Sequence, residues 1–229
     1  TFSAVSSANI SENAGVLLTG SSLAASSAAS LVLAAETNGI EDDADADITI
    51  AGNASFTANG AGGAITIGDD ATGNTDNFGT LTFNSVGAVA ISEDSSTEVT
   101  GTNTGLSLDL VSAGAVTDAS GTSITIANNA NITGTSISLA DNADTLSIGG
   151  TANFNGGAGN ISVAEAGTVN FGKLTFNTTG GAVAIYDDSA MILTGFSTGD
   201  SLLLDADGSI TDDAGTSVVI DNGNASVTG

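Results

Sequence analysis

The sequence predicts an all-β fold, a parallel β-solenoid with three short strands in each coil and about eight or nine coils. Short apolar alternations recur about every eight or nine residues, so three of them make a circuit of roughly 25 to 27 residues. The sequence of residues 78–134 also recurs, with substitutions and insertions, at residues 171–229. We therefore interpret residues 1–229 as a single repeat domain, a fragment of a longer repeat array.

The duplication is clearest at the start and the end of the two copies. FGTLTFN from Phe78 returns as FGKLTFN from Phe171, and VTDASGTSITI from Val116 returns as ITDDAGTSVVI from Ile210. The offset between the copies grows from 93 to 95 residues. A meander or a sandwich would also show short alternating strands, but it would need tighter hairpin turns and would not regenerate whole coils in order. The duplication therefore favours stacked coils.

The predicted strands are only about three to five residues long, because Gly, Asn, Asp or Ser follows each apolar burst. Tyr186 and Phe196 fall outside the alternation, which predicts that they are exposed. The alternation assigns most of the other aromatic side chains to the inner face, as core residues, among them Phe56, Phe83, Phe154 and Phe176. The inner face of the later copy is completed by Leu174, Val183, Ile185, Leu202, Leu204, Val218 and Ile220.

The chain has no proline and 31 glycines, which suits strands that use their backbone groups on both sides and turn often. Residues 23–35, LAASSAASLVLAA, are the one segment whose composition also suits a short helix. We predict a strand there, because Leu31 and Leu33 have the spacing of Leu108 and Leu110 in a later coil.

Charge limits the partners. Twenty-six acidic residues stand against a single basic one, Lys173, for a net charge of −25. Nucleic acid and anionic membrane surfaces are excluded, because both are bound through Lys and Arg. No apolar run is long enough for membrane insertion. The first residue is Thr1 rather than Met, so we expect the sequence to be a piece of a longer protein.

The pattern of LTFN, GGAVAI, DDAG and NASVTG segments resembles the β-helical repeat regions of bacterial filamentous-haemagglutinin-like and autotransporter-like surface proteins. The resemblance extends over essentially the whole chain. It implies a right-handed parallel β-helix that is secreted or displayed at the cell surface, as an adhesin shaft or a surface fibre. The chain differs from that family in having no recognisable secretion domain at its start and no membrane barrel at its end.

Catalysis is not expected. The chain has no His, Cys or Arg, so carboxylates are the main groups left for acid–base chemistry. Paired carboxylates hydrolyse glycosides in some proteins, and a carbohydrate-active β-helix is therefore the alternative function. Acidic residues recur, however, at equivalent turns, which is typical of structural positions: Glu12, Glu93 and Asp187 in one series, and Asp42, Asp118 and Asp212 in another.

Calcium is a possible ligand of these turns, although no cofactor is required by the sequence. If the two coil types stack directly, carboxylates of adjacent coils repel each other unless an ion lies between them. The predicted ligands are Asp187, Asp188, Asp212 and Asp213, with a second group at Asp43, Asp45 and Asp47. The alternative is that these are solvated turn residues, since Asp favours turns and keeps a protein soluble.

The sequence therefore predicts an extracellular structural or adhesive rod. Both ends of such a rod present open strand edges, so the expected partner is a second copy stacked head to tail, or further repeats of the same polypeptide. Cell-surface glycans are a further possible partner. A receptor-binding adhesin would need a distinctive loop, and the less regular coils at residues 64–77 and 135–170 are the places where we expect one.

Overall fold

A computed structural model describes Ser3 and residues 6–19, 26–43, 46–68, 75–164 and 166–229. Within these ranges the regular structure consists of β-strands. No helix in them is long and apolar enough to cross a membrane. The predicted all-β class is therefore confirmed.

The strands run in chain order from β1 to β26. Their bounds are β1 Ser7–Glu12, β2 Val16–Leu18, β3 Ser26–Ala28, β4 Ser30–Ala35, β5 Ile40–Asp42, β6 Ile48–Ala58, β7 Ile65–Ile67, β8 Asp76–Ser85, β9 Ala88–Glu93, β10 Thr97–Val99, β11 Thr102–Gly105, β12 Ser107–Ser112, β13 Val116–Asp118, β14 Ser123–Ile126, β15 Ala130–Thr133, β16 Ile137–Leu139, β17 Thr145–Asn155, β18 Ile161–Val163, β19 Thr168–Asn177, β20 Ala182–Asp187, β21 Met191–Leu193, β22 Phe196–Gly199, β23 Ser201–Ala206, β24 Ile210–Asp212, β25 Ser217–Ile220 and β26 Ala225–Thr228.

The strands stack as the coils of a parallel β-solenoid of about nine turns. β12, β13 and β14 form one coil, and each pairs in parallel with a strand of the coil below and a strand of the coil above. Three strands per coil and parallel stacking are both confirmed. β6, β8, β17 and β19 are longer because each continues around a corner and contributes to two sides.

The coils are shorter than predicted. Most paired residues lie 19 to 24 positions apart, as with Val89 and Leu108 or Ile137 and Ile161. The full range runs from 18 positions, for Leu81 and Val99, to 28 positions, for Ile48 and Asp76. The prediction of 25 to 27 residues was wrong because it gave every side of the coil the same length. In the structure many sides have strands of three or four residues and very short corners.

Residues 26–35 form β3 and β4, as predicted, and not a helix. Leu31 and Leu33 are fully buried in β4. Residues 23–25 lie outside the described part of the chain.

Alternate side chains point inward and form one continuous core. Phe56 pairs with Phe83 and Phe154 with Phe176 in adjacent coils, and all four are fully buried as predicted. Aliphatic residues fill the same inward rows, including Leu174, Val183 and Ile185. Each buried ring or branched chain stabilises the fold by roughly 1.5–3 kcal/mol. Of the two aromatics predicted to be exposed, Phe196 is 57% exposed, whereas Tyr186 is half-buried.

Glycine is required where β8 and β19 turn their corner. Gly79 and Gly172 hold equivalent places in the two copies. A Cβ on Gly79 would collide with the carbonyl oxygen of Ala51, and one on Gly172 with that of Gly149. The close approach of successive coils at this corner therefore depends on the absence of a side chain.

Candidate functional site

Several carboxylates lie at two places where a strand has a hydrogen-bonded neighbour in the coil below but none, within the described part of the chain, in the coil above. The first part of β8, residues 76–78, pairs below with β6, but no strand of the described residues pairs with it from above. The first part of β19, residues 168–171, has the same situation in the second copy, above β17. We call these two places the first step and the second step. Each leaves backbone N–H groups that need acceptors, because a buried backbone donor without a partner is costly.

Acidic side chains supply those acceptors at the first step. Asp94 Oδ2 accepts the N–H of Asp76 at 3.0 Å, and Glu93 Oε1 accepts the N–H of Phe78 at 3.0 Å. The backbone N–H of Asp94 in turn donates to the carbonyl oxygen of Asp76 at 2.9 Å. Two carboxylates therefore replace the missing strand.

The second step is built in the same way. Asp188 Oδ2 accepts the N–H of Val169 at 2.7 Å, and Asp187 Oδ2 accepts the N–H of Phe171 at 3.3 Å. Asp188 N–H donates to the carbonyl oxygen of Val169 at 2.8 Å. The duplicated sequence thus encodes a duplicated change in the path of the coil.

One further buried side chain completes each step. The later part of β8 is covered partly by β10 and partly by β11, and Asn103 Oδ1 accepts the N–H of Phe83 between them at 2.9 Å. The later part of β19 is covered by β21 and β22, and Ser197 Oγ accepts the N–H of Phe176 at 3.2 Å. Asn103 and Ser197 are both fully buried. Sequence reasoning missed them because neither residue belongs to an acidic series.

The two inner carboxylates are fully engaged. Glu93 also accepts hydrogen bonds from the hydroxyls of Ser95 and Thr97, and Asp187 accepts from the backbone and the hydroxyl of Ser189. Burial raises the pKa of Glu93 and of Asp187, while these hydrogen bonds act in the opposite direction. With all four oxygens accepting donors, the arrangement is suited to holding backbone in place.

The predicted calcium group of four aspartates does not form. Asp187 pairs in register with Ala206, whereas Asp212 pairs with Leu193 on another side of the rod. The prediction assumed that the two coil types stack directly on each other. In the structure, the change of coil path at the second step places Asp187 and Asp212 on different sides of the rod. Asp213 instead forms an ion pair with Lys173, which lowers the pKa of Asp213.

The second predicted group is also dispersed. Asp47 Oδ1 accepts the N–H of Thr75 at 2.8 Å, so it supports the chain of the next coil. Asp43 donates its backbone N–H to the carbonyl oxygen of Leu18. Asp45 lies outside the described residues. The described parts of residues 64–77 and 135–170 consist of solenoid strands joined by short turns, of which residues 140–144 and 156–160 are the longest in the second range.

Asp118, Asp141 and Asp144 are the acidic residues that come closest together. Among the described residues they are the one group of three whose ligand oxygens lie within 4.8 Å of one another, an arrangement that could hold a metal ion. Asp118 belongs to an acidic series seen in the sequence. Asp141 and Asp144 were missed, because the signal that brings them to Asp118 is the coil length and not a spacing motif.

Backbone donors already use most of this group. Asp144 Oδ1 accepts the N–H groups of Gly121 and Thr122, and its Oδ2 accepts that of Asn142. Asp118 Oδ2 accepts the N–H of Ala140, which has a positive φ of 58°. Burial raises the pKa of Asp118 to about 6, and the charges of Asp144 and Asp141 act in the same direction. The cluster therefore closes a corner between coils.

One shallow surface depression lies beside the second step. It has a volume of about 210 Å³ and is lined by Tyr186 and by acidic side chains, among them Asp188, Asp205 and Asp207. In the first copy Ser92 and Val111 stand at the places of Tyr186 and Asp205, and they pair in the same register. The first copy also has a depression there, of about 320 Å³ and lined by Ser92 and Val111, so the copies differ in the acidic character of the lining.

Comparisons with protein-family models, with curated proteins and with solved structures give no match. The interpretation of these carboxylates therefore rests on the geometry of this chain.

Proposed function

We propose that the chain is a structural segment of an extracellular β-solenoid, part of a surface fibre, sheath or adhesin shaft. Its final coil is covered by further repeats of the same polypeptide or, when these 229 residues stand alone, by a second copy stacked head to tail. The supporting observation is the last coil. Val227 pairs in register with Leu204 and so occupies an inward position, yet it is 56% exposed where Leu204 is fully buried. The row of core side chains ends uncovered.

The backbone of this coil supports the same proposal. β24, β25 and β26 pair below with β21, β22 and β23, and no described strand pairs with them from above. Their inward side chains Val218 and Ile220 are only partly buried. A sheet edge of this kind is a template for another strand. A coil of the same architecture satisfies both the backbone groups and the apolar row.

The acidic residues support a mechanical role over the carbohydrate-active alternative. Asp187, a conceivable general acid, has both carboxylate oxygens occupied by hydrogen-bond donors. The net charge of −25 opposes side-by-side association of rods, while an end contact is short and driven by backbone pairing and apolar burial.

Sedimentation velocity over a range of protein concentrations tests the proposal. The wild-type chain is expected to form end-to-end oligomers as concentration rises. Val227→Asp places a charge in the inward row of the last coil and is expected to remain monomeric. Val219→Asp is the matched control, because Val219 lies in the same coil but is an outward residue, 39% exposed. Monomeric wild-type protein at every concentration, or equal association of the two variants, would contradict the proposal.

A further inference from the structure

Asp76 is a carboxylate in a place that otherwise belongs to the core. It begins β8 and pairs in register with Ile48, which is fully buried. The equivalent residue in the second copy is Val169, which also donates its N–H to a capping aspartate and is 1% exposed. Asp76 itself is only 2% exposed. One copy of the repeat therefore has a buried acid where the other has a buried valine.

The carboxylate of Asp76 is only partly satisfied by the protein. Its Oδ1 is shielded from solvent and has no hydrogen-bond partner. Lys173, the single basic residue of the chain, is paired with Asp213. The backbone N–H of Ile48 hydrogen-bonds to the carboxylate and opposes the rise in its pKa that burial causes, but it supplies no countercharge. A buried negative charge without a countercharge is unfavourable, so the ionised carboxylate favours a positive species beside it.

Further carboxylates approach Asp76 from the elements packed around it. Asp94, after β9, bonds to the backbone N–H of Asp76 at 3.0 Å. Asp42, at the end of β5, accepts the N–H of Gly68 at 3.0 Å, and a Cβ on Gly68 would lie 3.3 Å from Asp76 Oδ2. Asp47 accepts the N–H of Thr75, the residue before Asp76. Burial raises the pKa of Asp76 to about 7, and the charges of Asp42, Asp94 and Asp47 act in the same direction.

We propose that Asp76, together with Asp42 and Asp94, binds a divalent cation of the Ca²⁺ class at the first step. Ca²⁺ takes six to eight oxygen ligands in flexible geometry, so carboxylates and water suit it better than they suit Mg²⁺. The ion supplies the countercharge that the chain lacks and ties β5, β8 and the end of β9 together. The second step has Val169 in this position and binds no ion.

The site closes on its ion by a small movement. Only the Asp118 group, among the described residues, already has three carboxylates within 4.8 Å of one another. Asp94 is exposed, and an inward shift of its side chain brings it to the ion. In the Asp118 group the most buried member, Asp144, has N–H donors on both oxygens. Asp118 has a donor on Oδ2 and, like Asp76, no partner on Oδ1.

Calorimetric titration of the full chain with Ca²⁺, after removal of metal by a chelator, tests the proposal. We expect one bound ion and a rise in Tm on binding. Asp76→Val introduces the residue that the second copy uses, so the variant should fold. It is expected to lose the ion and the calcium-dependent rise in Tm, and to have a higher Tm than wild type without calcium.

Asp109→Val removes one exposed acidic residue of β12 and is the control for net charge. It is expected to bind calcium as wild type does. Unchanged stoichiometry and Tm shift in Asp76→Val, or an ion that is lost only in Asp144→Asn, would overturn the proposal. Absence of any binding by the wild type up to ~10 mM Ca²⁺, beyond the range of extracellular calcium modules, would overturn it as well.

Discussion

Glu93 and Asp187 hold the same place in the two copies: Glu93 Oε1 accepts the N–H of Phe78 at 3.0 Å, and Asp187 Oδ2 accepts that of Phe171 at 3.3 Å. Each carboxylate stands where the next strand of a ladder would be. The second copy has one more residue than the first between the donor and the carboxylate. The shorter Asp187 side chain nevertheless reaches the N–H that corresponds to the one bound by Glu93. The acidic turn residues therefore help to specify the fold of the repeat, because their carboxylates accept backbone N–H groups that no described strand pairs with.

Replacing Asp187 by Ala is expected to destabilise the protein. Asp187 is 3% exposed, and its loss leaves the N–H of Phe171 buried without an acceptor. Such a vacancy costs about 1–3 kcal/mol. Urea unfolding at pH 7 measures the difference.

Two variants make that measurement specific. Asp187→Glu uses the residue of the first copy and is expected to recover most of the stability. Asp109→Ala removes an exposed carboxylate that makes no described hydrogen bond and is expected to change the free energy of unfolding by less than about 0.5 kcal/mol. Equal losses in Asp187→Ala and Asp109→Ala would refute the capping role.

The strands and their inner faces were predictable from the sequence, whereas the steps were not. Period-two alternation is local, so Leu174, Phe176 and Val183 could be assigned to the core without knowing their partners. The partner of Asp187 depends on how many residues lie in each intervening coil. Those lengths vary from 18 to 28 residues, which no local pattern reports.

Gly172→Ala is expected to destabilise the second step. Its Cβ would collide with the carbonyl oxygen of Gly149, a backbone atom that cannot move without disturbing the coil below. We expect a loss of more than about 2 kcal/mol. Gly180→Ala is the control, since a Cβ there meets nothing within 4 Å. It is expected to be neutral or slightly stabilising through the unfolded state, and a thermal melt of both variants distinguishes them. Equal effects would mean that the corner is not closely packed.

Two phenylalanines of the second copy differ in burial. Phe176 is fully buried above Phe154, whereas Phe196 is 57% exposed. Phe176→Ala is expected to cost about 3–5 kcal/mol, and Phe196→Ala less than ~1 kcal/mol. Chemical denaturation of both variants measures this. A small loss for Phe176→Ala would show that the core is not continuous at this coil.

Stability is expected to fall as pH rises from about 4 to 8. The pKa of Asp118 is raised to about 6 in the folded state, above its ordinary value of 3.8. The folded protein therefore binds this proton more tightly than the unfolded chain does. Its contribution is fully present below pH 3.8 and is lost as pH rises through about 6. Urea unfolding at intervals of pH, with chelator present, follows the change.

Asp118→Asn isolates this group, because an amide cannot ionise but its oxygen can still accept the N–H of Ala140. The fall in stability between pH 4 and 8 is expected to be smaller in the variant by on the order of 2–3 kcal/mol. An identical pH profile in the variant and the wild type would show that Asp118 titrates normally.

Carboxylates of the predicted calcium groups were recognisable as a set but not by their individual partners. The sequence marks Asp118 and Asp212 as equivalent turn residues, yet only Asp118 has a coil above it, where Ala140 donates to its carboxylate. Asp141 and Asp144 carry no spacing motif. They lie 23 and 26 positions after Asp118 in the chain and reach it only because successive coils stack. The composition gives the number of acidic residues, but the register between stacked coils determines the hydrogen-bond partner of each carboxylate.

Electron microscopy of the wild-type chain at high protein concentration tests the proposed head-to-tail stacking most directly. About nine coils at ~4.8 Å each predict filaments one rod wide with an axial repeat of roughly 43 Å. The Val227→Asp variant should give no such filaments. Dispersed single rods of the wild type at every concentration, or lateral arrays without that axial repeat, would contradict the account.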